Sequence, residues 1–245
     1  MPVISARQER DTDADWRELG ATQPYWGVLT HADYRTENLT PANLEAFYAS
    51  GDAYIADVVR RLKAATGREA GGRALDFGCG AGRLTDAMAA YASTATGFDI
   101  SPGMLAEARK RNGRATYTDQ LPAGPFDWIN SFIVFQHIPP ARGLELIEDM
   151  LMRLAPDGLI SIQLTVWREA RLQPKPATGW RRLTRPLIQR WRSARMKPGA
   201  ISMYDYDLSA VLRLINRAGI GDLALAATDD GGHHGVILLG RKAYA

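Results

Sequence analysis

Cysteine is nearly absent from this chain, because Cys79 is the only one among 245 residues. A single cysteine excludes an internal disulfide bond. The sequence also lacks any apolar run approaching the roughly 20 residues that a membrane-spanning helix requires. Its first fifteen residues have no apolar core of the kind found in a signal peptide. Together these absences favour a soluble protein of the reducing cytoplasm.

Positive charge is concentrated in one segment. Ten lysine or arginine residues and one acid lie between residues 168 and 197, so this segment carries a net charge of +9, whereas the whole chain carries +3. The remainder of the chain is therefore acidic. Internal repeats and low-complexity tracts are absent, and the length suits one large α/β domain or one domain with appendages.

The rest of the sequence is organised around a glycine-rich stretch, A-L-D-F-G-C-G-A-G-R-L-T over residues 74–85. An apolar run ends at Asp76, three glycines follow within five residues, and a helical pattern then begins. Glycine permits positive φ and a close approach of ligand to backbone, and the first turn of a helix offers unpaired N–H groups. The pattern departs from the dinucleotide fingerprint G-x-G-x-x-G, and the acid would repel a pyrophosphate. The stretch therefore predicts a binding site of nucleotide size for a ligand that is cationic or donates hydrogen bonds.

This stretch resembles motif I of the class I S-adenosylmethionine-dependent methyltransferases, and further matches follow in order. They are T-G-F-D-I-S-P-G-M-L from residue 96, T-D-Q-L-P from 118, F-D-W-I-N-S-F-I-V-F-Q-H-I from 126 and L-A-P-D-G-L-I from 154. The matches span about residues 74–166. The chain is thus similar to small-molecule methyltransferases, with sugar O-methyltransferases as one candidate type.

Alternating strand and helix patterns predict a Rossmann-like α/β fold. Strands fit near residues 73–77, 94–99, 114–118, 126–135, 159–166, 222–229 and 235–242, and helices near 82–91, 101–112, 140–155 and 206–218. Parallel strands joined by helical crossovers are the compact solution for this alternation. Residues 156–158 are expected to form the turn into the fifth strand, and residues 230–234 a hairpin before a reversed last strand. The resemblance likewise implies a seven-stranded, mostly parallel sheet with one antiparallel strand.

Residues 1–70 are predicted to form an N-terminal arm and helical cover for a methyltransferase domain over residues 71–245. Residues 1–15 are expected to fray, and the aromatic stretch 16–34 to be irregular. A helix that opens at Thr40 is expected to break at residues 50–52 and to resume until Gly67. Helices of this kind often cover the cofactor in the proteins this chain resembles, although a helix that only covers an open sheet explains the pattern equally well. The candidates for cofactor or substrate contact in this region are Tyr25, Trp26, Arg35, Tyr48 and Gly51.

The resemblance implies S-adenosylmethionine as cofactor and S-adenosylhomocysteine as product. Ligands of open α/β sheets bind outside the carboxyl ends of the strands, where Asp99 and Asp119 follow the second and third strands. The resemblance places Asp99 on the ribose hydroxyls and Asp119 on the adenine amino group, against the alternatives of a surface acid and a helix cap. Cys79 is interpreted as a small residue packed beneath the cofactor. The predicted cofactor-binding residues are Asp76, Phe77, Gly78, Cys79, Gly80, Asp99, Ile100, Met104, Asp119, Gln120, Leu121 and Ser131.

His137 is the candidate catalytic residue. Methyl transfer from a sulfonium requires that donor and acceptor be aligned and water excluded. An aliphatic hydroxyl also benefits from a nearby proton acceptor, and histidine suits that role near neutral pH. His137 lies in Q-H-I-P-P directly after the fourth strand, where the resemblance implies the transferable methyl. The alternative is that it caps the following helix or binds the backbone.

Acceptor contacts are predicted less specifically. The candidate substrate-binding residues are Tyr25, Trp26, Arg35, Gln136, Trp167, Trp180, His233 and His234. The two adjacent histidines lie near acids, but neighbours on a strand point in opposite directions and no third ligand has a fixed spacing. No metal site is therefore predicted.

The basic segment over residues 167–200 is predicted to be an insertion between the fifth strand and the next helix. Three uses stay open: a lid whose cations hold an acidic or phosphorylated acceptor, a contact with an anionic membrane surface, and a solvated or dimer-forming arm. No stacking motif supports a stable nucleic-acid partner.

The sequence therefore predicts a cytoplasmic S-adenosylmethionine-dependent methyltransferase that acts on a hydroxyl oxygen of a small molecule. A sugar or glycan is favoured by the candidate base together with the tryptophans and arginines of the insertion. No N-P-P-[YF] tetrapeptide follows the fourth strand, which argues against methylation of adenine or glutamine nitrogen. The alternatives are N- or C-methylation of a small metabolite, a non-catalytic S-adenosylmethionine-binding protein and a nicotinamide-dependent redox enzyme.

Overall fold

A seven-stranded sheet forms the centre of the protein in a computed structural model, which describes residues 11–111, 113–173 and 199–243. The strand order is β3-β2-β1-β4-β5-β7-β6. The strands are β1 Arg73–Phe77, β2 Thr94–Phe98, β3 Thr116–Thr118, β4 Phe126–Ser131, β5 Leu154–Arg168, β6 Ile220–Asp230 and β7 His233–Lys242. Strands β1 to β5 pair in parallel, and β7 runs antiparallel to both of its neighbours. The predicted Rossmann-like sheet with one reversed strand is confirmed.

Helices pack on both faces of the sheet. Within the described residues they are α1 Thr12–Thr22, α2 Pro24–Val28, α3 Pro41–Thr66, α4 Arg83–Met88, α5 Pro102–Lys110, α6 Pro140–Met152 and α7 Leu208–Arg217. Successive strand residues point to opposite faces. Leu75 of β1 therefore joins the core formed with α6 and α7, whereas its neighbour Ala74 joins the core formed with α3 and α4. None of these helices is long and apolar enough to cross a bilayer.

The parallel pairing of β1 with β2 and β4 determines where a ligand can bind. Asp76 lies opposite Gly97 on one side and Asn130 on the other. The carboxyl ends of these three strands consequently meet at one edge of the sheet. The glycine-rich turn, the loop after β2 and the loop after β4 all emerge there.

The N-terminal region is more regular than its sequence pattern predicts. The stretch expected to be irregular contains α1 and α2, and the first of these begins at Thr12, inside the part expected to fray. Asp11 caps α1, since its side chain accepts a hydrogen bond from Ala14 N at 3.0 Å. Asp15 further accepts one from Gly199 N at 3.0 Å. The contact with the distant Gly199 helps to stabilise a helix that has no clean apolar period of its own.

Helix α3 runs unbroken from Pro41 to Thr66, so the predicted interruption at residues 50–52 is wrong. Its predicted ends are confirmed, because Thr40 caps it and Gly67 stops it with φ of +70°. Within the helix, Gly51 faces α4 so closely that a Cβ there would overlap with the backbone oxygen of Arg83. Gly51 therefore permits close packing of two helices.

Replacing Gly51 with alanine should destabilise the protein by about 1–2 kcal/mol. Overpacking of this kind costs about 1–3 kcal/mol, and the better helix propensity of alanine offsets at most about 1 kcal/mol of it. Urea denaturation followed by circular dichroism would measure the change. Gly221→Ala is the matched control, since a Cβ at Gly221 meets nothing within 4 Å. Equal stability of the two variants would contradict the close packing of α3 on α4.

Two boundaries of the predicted strands differ from the structure by four residues or more. Strand β4 ends at Ser131 rather than at residue 135, and residues 135–137 form a 3₁₀ turn. Strand β5 begins at Leu154, so residues 156–158 form a bulge within it instead of a preceding turn. The bulge arises because Leu154 still pairs with Phe126 before the register shifts. The predicted domain boundary near residue 70 stays a prediction, and residues 174–198 of the basic segment lie outside the described residues.

Candidate active site

A cavity opens at the carboxyl ends of β1, β2 and β4. It encloses about 980 Å³ including the space open to solvent, and α1, α2 and α6 contribute to its walls. The predicted cofactor residues that line it are Asp76, Phe77, Gly78, Cys79, Gly80, Asp99, Ile100 and Met104. His137 lines the same cavity. The structure thus brings the candidate base and most of the candidate cofactor residues together.

The glycine-rich turn forms the floor of this cavity. Gly78 and Gly80 have φ of +76° and +53°, which a residue with a side chain adopts only with strain. A Cβ at Gly80 would also lie 2.6 Å from Val28 of α2. The N–H groups of Gly78 and Cys79 donate to Phe98 O at 2.8 and 3.0 Å, which fixes the turn against β2.

Asp76 is buried beneath the turn and is bound within the protein. One carboxylate oxygen accepts a hydrogen bond from the Thr85 hydroxyl at 2.7 Å, and the other accepts one from Asn130 Nδ2 at 2.9 Å. Burial raises the pKa of Asp76 above its usual range. Both oxygens already have partners, so this carboxylate anchors the turn to α4 and β4.

Asp99 follows β2 and is half-buried at the cavity. Its Oδ2 accepts a hydrogen bond from Gly80 N at 2.9 Å, and its Oδ1 accepts one from Ser101 N at 2.8 Å. Burial raises the pKa of Asp99 to about 6. Each carboxylate oxygen has a second lone pair, so the group can accept two further hydrogen bonds from a ligand.

The predicted residues after β3 lie outside the cavity lining. Asp119 and Gln120 are exposed, and Leu121 is half-buried against the core. Phe98 at the end of β2 pairs with Thr118 at the end of β3. Asp119 therefore follows β3 at the same edge of the sheet where Asp99 follows β2. No helix begins at Asp119 in the described chain, so it does not serve as a helix cap there.

His137 lies in the 3₁₀ turn after β4 and is only 6% exposed. Its Nδ1 is 2.8 Å from Ser202 O. A carbonyl oxygen only accepts, so Nδ1 carries the hydrogen and Nε2 is the unprotonated nitrogen. Burial lowers the pKa of His137 to about 4, and the imidazole is therefore neutral near pH 7. The predicted backbone contact exists, but it occupies only one ring nitrogen.

Gln136 holds the imidazole from the other side. Its Nε2 lies 3.3 Å from His137 Nε2, to which an amide N–H can donate. Its Oε1 accepts a hydrogen bond from the Thr165 hydroxyl at 3.0 Å. The Trp16 ring lies 4.9 Å from the imidazole, measured between ring centroids. The orientation of His137 is consequently set by α1, β5 and the residues near 202.

The other candidate substrate residues do not line the cavity, and their roles stay predictions. Ser131, from the cofactor set, is also absent from the lining and donates its hydroxyl to Phe77 O at 3.1 Å. The remaining placements are as follows: Tyr25 is buried with its hydroxyl 3.2 Å from Glu107, Trp26 lies under the Arg35 guanidinium, Tyr48 donates to Ala81 O, Trp167 stacks on His234, and His233 begins β7. Trp180 lies outside the described residues. In the part of the chain that is described, no three His, Cys, Asp or Glu side chains form a cluster that could hold a metal ion.

Several cavity residues were not predicted from the sequence. Asp13 and Trp16 of α1 line the cavity, and Asp13 accepts two hydrogen bonds from Arg142 of α6, at 2.6 and 3.0 Å. Arg83 also lines the cavity and is 5% exposed. Only Arg83 had a signal in the sequence, because it directly follows the last glycine of the motif.

Comparison with known proteins identifies the family of the chain. A family model described as a methyltransferase domain matches residues 48–219. Trans-aconitate 2-methyltransferase of Methylobacterium nodulans is 34% identical over 146 residues, which cover 57% of this chain and 49% of that protein. The chain spans about half the length of the curated relatives it matches.

Solved structures share the fold at low sequence identity. Magnesium protoporphyrin IX methyltransferase from Synechocystis, with bound S-adenosylhomocysteine, has a TM-score of 0.63 and 17% identity, covering 95% of this chain and all of that chain. An amino pentose methyltransferase from Micromonospora echinaspora has a TM-score of 0.56 and 19% identity, covering 85% of this chain and all of that one. Because the matched region exceeds half of its length, the chain belongs to the methyltransferase-domain family, which confirms the class I S-adenosylmethionine-dependent methyltransferase identity predicted from its motifs.

Proposed function

We propose that the chain transfers a methyl group from S-adenosylmethionine to a hydroxyl oxygen of a small molecule. The observation that carries this proposal is the neutral imidazole of His137, which lines the same cavity as the glycine-rich turn and Asp99. Its unprotonated Nε2 is a proton acceptor once a substrate hydroxyl replaces the Gln136 amide that lies 3.3 Å from it. A hydroxyl acceptor needs such a group, whereas a carboxylate acceptor does not.

The residues present suit this cofactor. Gly78 and Gly80 have no side chains, so a ligand in the cavity can approach the backbone of the glycine-rich turn. A Cβ at Gly80 would overlap with Val28. Asp99 has free lone pairs for two hydroxyls in addition to its two backbone partners. Asp119 follows the adjacent strand, where it can meet the base of a nucleoside whose ribose lies on Asp99. We therefore assign Asp99 to the ribose and Asp119 to the adenine.

The chain contributes alignment, exclusion of water and a proton acceptor. S-adenosylmethionine, when bound, supplies a methyl group on a sulfonium, which is a good leaving group. Phe132, Val134, Ile138 and Leu146 line the cavity with apolar surface that excludes water. His137 takes the proton of the acceptor hydroxyl at Nε2, and Ser202 O stabilises the resulting imidazolium at Nδ1. Ser202 O and the Trp16 ring keep the imidazole in place for this transfer.

The acceptor class within this proposal is broader than a sugar. The relatives compared are named for trans-aconitate, a porphyrin and an amino pentose, so family membership leaves the acceptor open. Of the tryptophans on which a sugar acceptor was predicted, Trp167 stacks on His234 and is not part of the lining, and Trp180 and Trp191 lie outside the described residues. A sugar or glycan acceptor stays a prediction, as does the cytoplasmic location.

A donor-turnover assay tests the proposal. Purified protein, S-adenosylmethionine and a panel of acceptors would be followed by formation of S-adenosylhomocysteine, with mass spectrometry of the methylated product. The panel contains sugars, phenols, aliphatic alcohols, amines and carboxylic acids, and a reaction without acceptor gives the background. Methylation of a hydroxyl is the expected result. Turnover confined to amines would favour a nitrogen methyltransferase, and cofactor binding without any turnover would favour a non-catalytic binder.

A further inference from the structure

The part of the cavity near His137 has mostly apolar walls. With the ribose on Asp99 after β2 and the adenine towards β3, the sulfonium end of the cofactor extends over β1 towards β4. The space beyond it, which we call the acceptor end, is enclosed by α1, the residues after β4 and α6. Its apolar lining residues are Trp16, Phe132, Ile133, Val134, Ile138 and Leu146.

Few polar side chains line the acceptor end in the described part of the chain. They are Thr12, Asp13, His137 and Arg142. Asp13 and Arg142 are bound to each other, and the Arg142 side chain is 46% exposed, so this pair lies at the rim. Only Thr12 and His137 are then left to meet polar groups of an acceptor inside. A sugar has a hydroxyl on nearly every carbon, and each hydroxyl that is buried without a partner weakens binding.

The acidity of the acceptor hydroxyl must also match the base. Burial lowers the pKa of the His137 imidazole to about 4, so it is a weak base. A phenol has a pKa of about 10, like the tyrosine side chain. An aliphatic alcohol is roughly as weak an acid as water, with a pKa of about 16. Transfer of the proton to this imidazole is therefore about a millionfold less unfavourable from a phenol than from an aliphatic alcohol.

We propose that the acceptor is a phenol, whose flat apolar ring fills the acceptor end between Trp16, Ile138 and Leu146 and whose hydroxyl meets His137. The inference rests on the proposed function and narrows its substrate class. The phenolic oxygen forms a bond to the methyl carbon as the bond from that carbon to sulfur breaks. The electron pair of the broken bond stays on sulfur, and the phenolic proton passes to His137 Nε2. Flat rings also pack favourably against aromatic side chains such as that of Trp16.

Three ring compounds of related size test the class: naphthol, decahydronaphthol and methyl glucoside. Their binding is measured by titration calorimetry on protein saturated with S-adenosylhomocysteine, and their turnover with S-adenosylmethionine. Methyl glucoside should bind at least about 10-fold more weakly than naphthol, the effect of one buried hydroxyl without a partner. Naphthol should be methylated at least about 100-fold faster than decahydronaphthol, because the two share a ring skeleton but differ in acidity.

Leu146→Asn should weaken the binding of naphthol by about 10-fold, since it places an amide in the apolar wall. Leu144→Asn is the matched control, because Leu144 is also half-buried on α6 against the same core but does not line the cavity. It should leave naphthol binding unchanged. Binding of S-adenosylhomocysteine by both variants shows that each is folded.

Two kinds of failure are distinguishable. Methylation of methyl glucoside in preference to naphthol, equal turnover of naphthol and decahydronaphthol, or no methylation of naphthol at all would overturn the phenol as acceptor. Equal loss of naphthol binding in Leu146→Asn and Leu144→Asn would do the same. The proposed function would survive methylation of either alcohol. Turnover of amines alone would refute the proposed function and this inference with it.

Discussion

Replacing Asp99 with asparagine should weaken the binding of S-adenosylmethionine by at least about 100-fold. Two hydroxyl donors to a carboxylate contribute roughly 1.5–3 kcal/mol each, which corresponds to about 10- to 100-fold in affinity for each bond. Asparagine has the same shape but only one acceptor oxygen. Its NH₂ group would replace the oxygen that accepts from either the Gly80 N–H or the Ser101 N–H, so two donors would face each other there. Titration calorimetry at pH 7.5 would measure the loss.

Asp127→Asn is the matched control for this substitution. Asp127 also accepts a hydrogen bond from a backbone N–H, that of Arg73 at 2.7 Å, but it does not line the cavity. Its replacement should leave the affinity unchanged. In the wild-type protein the affinity should also fall as the pH drops below about 6, because protonation of Asp99 removes the charge that accepts the hydroxyls. An Asp99→Asn protein that binds within threefold of the wild type would remove Asp99 from the site.

Replacing His137 with alanine should lower kcat on a hydroxyl acceptor by about 10²- to 10⁴-fold, the usual contribution of a general base. The affinity for S-adenosylmethionine should change only a few-fold, because the proposed partner of the imidazole is the acceptor and not the cofactor. Steady-state kinetics for the variant and the wild type would separate the two effects. His31→Ala is the control, since His31 is largely exposed in the N-terminal cover. A kcat on the hydroxyl acceptor within threefold of the wild type would contradict the general-base role of His137.

The pH dependence of kcat provides a second measurement on His137. Burial lowers the pKa of His137 to about 4, so the neutral form that accepts a proton persists from pH 8 down to about pH 5. The activity should therefore show no inflection from this group near pH 6.5, where an exposed histidine titrates. It should be lost only as the pH approaches 4. An inflection at pH 6.5 that disappears in His137→Ala would mean that the imidazole is solvated.

The sequence was sufficient for the sheet and for many of the residues that line the cavity. A strand that ends in an acid followed by closely spaced glycines determines the backbone path locally, because few residues other than glycine adopt the required positive φ. Asp99 and His137 were found for a related reason, since residues directly after parallel strands meet at one edge of the sheet. Their positions follow from the order of the strands, and their roles stay predictions.

The cover of the cavity could not be predicted in this way. Helix α1 is held by Asp13 bound to Arg142 and by Asp15 bound to the Gly199 N–H, pairs separated by well over a hundred residues. Its own residues show no clean period, so the pattern indicated an irregular arm. The predicted helix break at Gly51 was wrong for a similar reason. Glycine normally weakens a helix, but the neighbouring backbone of Arg83 leaves no room for a side chain at this position. Long-range packing of this kind leaves no trace in a local window of sequence.

The position of α1 also bears on how the protein should be shortened. The family-matched region starts at residue 48, yet Asp13, Trp16 and Val28 lie upstream of it and form part of the cavity wall. A fragment cut at the start of the matched region would retain every recognisable motif and have a binding chamber open on one side. Trp16 would no longer shield His137 from bulk water, and the low proton affinity of that imidazole would be lost with the missing helix.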